Sequence, residues 1–211
     1  SSDVAAVAEE LLRKDGLPSL ALAGYSMGGN LVLKCAGEWG SAPPPQVKAV
    51  CGISPAMDLG PSADALHDFS NRIYELKFLW GLRRRFARKV ELFPQRFHPV
   101  PIGLWESLRV FDDKVTARFS GFKGADDYYN RASSARVLEH ISVPTLVIHA
   151  KDDPFIRVMQ ETRAKLAANP YIQFIETERG GHCAFLAPPN GYDGRWAERK
   201  IIEFVQSAEL G

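Results

Sequence analysis

Residues 20–35 read LALAGYSMGGNLVLKC. An apolar run enters a turn, one serine stands between glycines, and Leu31, Val32, Cys35 and Ala36 then repeat at helical spacing. Strand, tight turn and helix in that order form the frame of a nucleophile elbow, in which a strained turn exposes a serine hydroxyl at the end of a sheet. Such a turn calls for small residues two positions before and two after the serine, and Gly24 and Gly28 supply them around Ser26. The following helix aims its free amides and its dipole at the serine, so the Met27 N–H is the expected donor to a developing oxyanion. By itself G-x-S-x-G arises by chance in roughly one chain in ten of this size at ordinary composition. Its flanking strand and helix are what give it meaning.

Outward from the elbow, Val4, Val7, Leu11 and Leu12 mark a helix that Asp3 can cap and that Gly16 and Pro18 end. SLALA (19–23) reads as a short buried strand and VKAVCGI (47–53) as the next. PTLVIHA (144–150) and IQFIE (172–176) read as two more, with helical spacing at Val158, Thr162, Lys165 and Leu166 between them. A last helix is expected over about 194–207. Strands apolar on both faces and separated by helices imply a parallel sheet flanked by helices, an α/β fold. Residues 1–53 and 143–211 form its expected core. Residues 54–142 hold no comparable strand and are rich in Arg, Phe and Tyr, which reads as a helical lid insertion. Within it Phe78, Leu82, Phe86, Val90 and Phe93 are expected to share one helix face, with Arg84 and Arg88 on the other. A lid helix packed on the core explains that pattern; a membrane-surface helix is the alternative, and nothing else in the sequence supports membrane contact.

Composition narrows the function. Of 211 residues 45% are hydrophobic and 24% charged, and 26 basic against 25 acidic residues leave a net charge of +1. No field of that size draws nucleic acid, so none is expected as a partner. Cys35, Cys51 and Cys183 are odd in number, far apart and without C-x-x-C spacing, which argues against disulfides and zinc and for a reducing, cytoplasmic setting. No metal or other cofactor is called for. The apolar runs fall far short of the roughly 20 residues of a membrane span.

A serine hydroxyl needs a histidine to take its proton and a carboxylate to orient that histidine. Where the serine sits on such an elbow the chain order is serine, acid, histidine, and a parallel α/β sheet places its site residues at the carboxyl ends of the strands. IHAKDDPF (148–155) offers Asp152 and Asp153, and ERGGHCAF (178–185) offers His182 on a glycine-rich loop. His67 and His98 lie in the insertion, His140 precedes the third strand and His149 lies within it, so none of these suits the base. Tyr128, Tyr129, Phe119 and Phe122 either line an acyl pocket or pack the insertion. Cys183 reads as a small buried apolar residue.

The segments GYSMGGNLVLK (24–34), FDDKVTARFSGFKGADDYYNRASS (111–134), IHAKDDPF and GGHCAF together resemble the YheT-like branch of the α/β-hydrolases, which includes the ABHD1 and ABHD3 type and the plant EMB8-like proteins. The resemblance extends over essentially the whole chain. It implies Ser26 as nucleophile, Asp153 as the acid with Asp152 as its neighbour, and His182 as base. It further implies hydrolysis of carboxylic esters, small-molecule or lipid, by a serine mechanism. Four strands and a second oxyanion donor would precede the elbow strand, so the sequence reads as the C-terminal part of an α/β-hydrolase fold. Acyl transfer by the same triad, or a catalytically silent fragment acting as an interaction module, are the rival readings.

Overall fold

The computed structural model describes residues 1–103 and 105–209. The chain forms two compact units, one of Ser1–Asp58 with Ser133–Gly211 and one of Leu59–Ala132. The second is shorter at both ends than the expected insertion 54–142. Met57, Ala135, Leu138 and Ile141 are buried in one cluster with Leu33, Val50 and Val147, so the flanks of that stretch belong to the first unit's core. The Asn30 side chain also accepts the Ser134 N–H at 2.7 Å.

In the first unit four parallel strands, β1 (Leu20–Tyr25), β2 (Val47–Ile53), β3 (Thr145–Ala150) and β4 (Ile172–Thr177), lie side by side in chain order. Their carboxyl ends are in line: Tyr25 faces Ile53, Ile53 faces Ile148, and Ile148 faces Ile175. Every connection is a crossover through helix or through the inserted unit, as parallel pairing requires. Helices α1 (Ser2–Arg13) and α2 (Met27–Trp39) contribute Val4, Val32, Leu33 and Ala36 to the core on one face of the sheet.

The sheet's other core joins Cys51, Ile53, Leu146 and Ile148 to Ala197, Ile201 and Phe204 of the C-terminal helix. Two sequence expectations change here. Asp3 is not the cap of α1; Ser1 holds that position without a side-chain bond, and Asp3 lies in the first turn, where its charge still favours the helix dipole. Strand β1 is not buried on both faces: Ala21, Ala23 and Tyr25 are exposed, because β1 is an edge strand and the C-terminal helix covers its neighbours instead.

In the second unit α3 (Leu59–His67) and α4 (Arg72–Leu92) are followed by a helical run from Leu108 to Ser120, π-helical over Asp112–Ala117, and by α5 (Ala125–Ala132). The buried face of α4 runs through Glu75, Leu79 and Phe86, flanked by Leu82 and Val90; Phe78 and Phe93 are exposed. A strict four-residue spacing drifts by about 40° per step on a 3.6-residue helix, so the inward stripe has to mix steps of three and four. Glu75, fully buried, accepts hydrogen bonds from Arg72 at 2.5 Å and from the Leu108 N–H at 2.8 Å, and lies 2.9 Å from His67 Nδ1. The aromatic residues considered for an acyl pocket pack within this unit. Phe119 lies against Phe86 and Phe97, Phe122 against Tyr128, and the Tyr129 hydroxyl donates to Asp112 at 2.7 Å. The remaining long helices, α6 (Gln160–Ala168) and α7 (Trp196–Glu209), belong to the first unit. Among the described residues no helix is long and apolar enough to cross a membrane.

Candidate active site

At the end of β1 the chain turns on Ser26, whose φ of 52° and ψ of −118° lie outside the usual regions for a residue with a side chain. Neighbouring backbone holds it there: its N–H donates to Ile53 O at 2.8 Å, and its carbonyl accepts from Asn30 N at 3.1 Å and Ala56 N at 3.2 Å. The tightness of the turn explains Gly24, where a Cβ would sit 2.3 Å from the Gly28 carbonyl. Gly28 itself carries no such demand, since a Cβ there would meet nothing within 4 Å. The expected need for small residues on both sides of Ser26 therefore falls on one of them.

Ser26 occupies the N-cap position of α2 but makes no capping bond. Its Oγ lies instead 2.9 Å from His182 Nε2. The other ring nitrogen, His182 Nδ1, lies 2.9 Å from Asp153 Oδ2. Asp153 is only 3% exposed, and its second oxygen accepts the N–H groups of Phe155 at 2.9 Å and Ile156 at 3.0 Å. Asp152, the alternative acid, is exposed and turned elsewhere; it accepts the Gly181 N–H at 2.7 Å. Thus Ser26, Asp153 and His182 come together at the carboxyl ends of β1, β3 and β4, while Asp152 joins the two loops that carry acid and histidine.

The electrostatics follow from these contacts. Burial opposes charge on the His182 imidazole, but the hydrogen bond and charge of Asp153 outweigh it, with a smaller contribution from Cys183, and raise its pKa to about 9. Burial also opposes charge on Asp153; the bonds from His182, Phe155 and Ile156 overcome it and hold the carboxyl below its ordinary value. The His182 ring is further fixed by an edge contact with Phe155, ring centres 5.0 Å apart. Met27 opens α2, whose first-turn backbone N–H groups have no acceptor within the helix. Cys183 is half-buried rather than buried, with φ of 67° and its Sγ 4.0 Å from Ile53 O. His149 is buried in β3, and its pKa is lowered by desolvation.

Sequence reading missed Phe155 and the Asp152–Gly181 bond. The apolar residue after DDP was a usable signal for the first; the second depends on two loops meeting in space.

Comparison with known proteins agrees with this architecture. The model of the alpha/beta hydrolase family matches residues 1–192. The chain is 31% identical over 198 residues to the candidate esterase YheT of Escherichia coli (strain K12), covering 92% of this chain and 57% of that protein. It is 40% identical over 100 residues to the medium-chain fatty acid ethyl ester synthase/esterase 2 of Saccharomyces cerevisiae, covering 47% of this chain and 21% of that protein. Among solved structures, the monoacylglycerol lipase of Paleococcus ferrophilus superposes with a TM-score of 0.55 at 15% identity, over 98% of this chain and 75% of that one, a likeness of fold. The chain thus spans little more than half the length of YheT. With a parallel sheet, a strained serine turn and a family match over most of its length, it belongs to the alpha/beta hydrolase family, in the branch of YheT.

Proposed function

We propose that this chain hydrolyses carboxylic esters, small-molecule or lipid, through an acyl-serine intermediate. The observation that carries the reading is the His182 ring held between two groups, 2.9 Å from Ser26 Oγ and 2.9 Å from Asp153 Oδ2. Ser26 Oγ attacks the ester carbonyl as His182 Nε2 takes its proton, and Asp153 keeps the proton on Nδ1 and stabilises the imidazolium. The Met27 N–H faces the negative charge that develops on the carbonyl oxygen. The tetrahedral intermediate collapses, the alcohol leaves with the proton from His182, and water repeats the sequence on the acyl-serine to release the acid.

A second reading, transfer of the acyl group to an alcohol in place of water, is favoured by the similarity to the yeast ester synthase/esterase. Product ratios measured with ethanol present separate the two. The unit Leu59–Ala132 enters the chain between β2 and β3, and in this proposal it acts as the lid.

A fluorophosphonate probe followed by peptide mapping tests the core of the proposal. Modification is expected on Ser26 alone, and it is lost in Ser26→Ala. A chain that labels elsewhere, or does not label while cooperatively folded, sinks the serine mechanism.

A further inference from the structure

Helix α4 reads RIYELKFLWGLRRRFARKVEL, with seven basic and two acidic residues, in a chain whose net charge is +1. Of the two acids, Glu75 is buried among its partners and offers the surface nothing. One side of α4 packs inward through Leu79 and Phe86. On the opposite side Ile73, Lys77, Trp80 and Arg84 follow at steps of four, three and four, which aligns them in one stripe. That stripe is apolar where it should be polar: Ile73 is 81% exposed and Trp80 66%. Two more large side chains near the start of α4 are strongly exposed, Phe69 in the turn just before it at 98% and Trp105 at 75%, the latter's carbonyl bonded to Arg72 at 2.8 Å. The Arg84 guanidinium lies 5.8 Å from the centre of the Trp80 ring.

From this we infer that the outward face of α4 docks on an anionic lipid surface. Exposed large apolar groups in such density mark an interaction site. Three features select lipid as the occupant. The cations are interleaved with the apolar tips, so acidic headgroups satisfy them while the tips enter the acyl boundary, and the Lys77 and Arg84 stems add apolar length beneath their charges. Tryptophan sits well at the headgroup level. The stripe is the convex side of a helix, which a fluid surface covers. Helix α4 is not apolar enough to span, so it lies on the surface rather than in it. This docking does not depend on the ester chemistry, although it suits esters that reside in a membrane.

Co-sedimentation of the 211-residue chain with diether phospholipid vesicles tests the inference, because ether-linked lipids cannot be hydrolysed as esters. Binding is expected to vesicles of phosphatidylcholine mixed with phosphatidylglycerol, to fall with added salt, and to be weak on phosphatidylcholine alone. Each cation at such a surface strengthens binding on the order of fivefold, so Lys77→Glu with Arg84→Glu weakens it by at least about 25-fold. Ile73→Ser with Trp80→Ser is expected to weaken it on the order of tenfold or more. Both variants replace exposed side chains and keep the parent's melting temperature. Ser26→Ala binds like the parent, and Ser26 labelling is scored separately, so failure of either proposal is visible without the other. The inference is overturned if the parent does not bind phosphatidylglycerol vesicles, if both double variants bind as it does, or if gel filtration shows a dimer that these variants dissociate, in which case a second copy covers the face.

Discussion

Asp152 and Gly181 are joined by a 2.7 Å hydrogen bond, from the backbone of the residue before His182 to the carboxylate of the residue before Asp153. The two loops of the candidate site are therefore tied twice, once by His182 with Asp153 and once by their neighbours. The paired aspartates should respond differently to the same substitution. Asp153→Asn removes the charge that holds the histidine tautomer and is expected to lower kcat by on the order of 10⁴. Asp152→Asn keeps an oxygen to accept the Gly181 N–H and is expected to stay within about tenfold of the parent, whereas Asp152→Ala, which loses the tie, falls further. Ester turnover by the three variants is the measurement; greater damage from Asp152→Asn than from Asp153→Asn contradicts the assignment.

The raised pKa of His182 gives the reaction a direction in pH. The base must be neutral to accept the serine proton, and in the free protein it becomes neutral only as pH rises through about 9. The expected log kcat/KM profile climbs with unit slope below that value and levels above it. The stabilising effect of the same pair runs the opposite way. A histidine raised from 6.5 to about 9 on folding stabilises fully below about pH 6.5, and that contribution is lost as pH rises through about 9. Asp153, with its pKa lowered, stabilises above its ordinary value and loses that effect as pH falls through the lower folded one. Asp153→Asn should move the kinetic midpoint of the residual activity downward. A parent profile flat between neutrality and pH 10 contradicts the raised His182 pKa, because it puts the titration of the base below neutrality.

Much of this was legible in the sequence, for identifiable reasons. The strand positions follow from uninterrupted apolar runs, and β2 falls on the residues expected, Val47–Ile53. The meeting of Ser26, Asp153 and His182 follows from parallel strands that put their carboxyl ends on one edge. What escaped depends on neighbours rather than on a segment's own residues. The apolar run of β1 does not say that one of its faces, with Ala21, Ala23 and Tyr25, stays uncovered. Residues 133–142 carry no strand pattern, yet Ala135, Leu138 and Ile141 are core. On α4 the apolar positions at four-residue spacing drew the face too far round, because Glu75, a charged residue, occupies the inward stripe.

That buried Glu75 makes the second unit sensitive to one carboxylate. Glu75→Ala leaves the Leu108 N–H without this acceptor and the Arg72 guanidinium without this partner. A cost of about 1–3 kcal/mol is expected, the usual effect of leaving a hydrogen-bonded donor without its acceptor, since the Arg72 side chain is 27% exposed and can turn to water. Glu75→Leu, which fills the volume but pairs with nothing, should recover little of it. Denaturant unfolding monitored by tryptophan fluorescence reads the loss, since Trp80 and Trp105 lie in this unit. Unchanged stability in both variants means that water serves Leu108 and Arg72 equally well.

Gly24 and Gly28 separate geometry from motif in the same manner. A methyl group at Gly24 would meet the Gly28 carbonyl carbon and oxygen at 2.3 Å, backbone atoms of the turn that presents Ser26. Relief requires β1 and α2 to part, which displaces Ser26 from the 2.9 Å contact with His182. Gly24→Ala is therefore expected to destabilise by about 3 kcal/mol or more and to reduce ester turnover on the order of 10². At Gly28 the methyl group enters open space on a helical residue, where alanine is favoured over glycine by about 1 kcal/mol. Gly28→Ala should thus be neutral to slightly stabilising and leave fluorophosphonate labelling of Ser26 intact. Melting temperature and labelling rate, measured side by side, decide the point. Equal damage at both positions means that the second glycine serves the approach of substrate or of another segment to the turn, and not the turn itself.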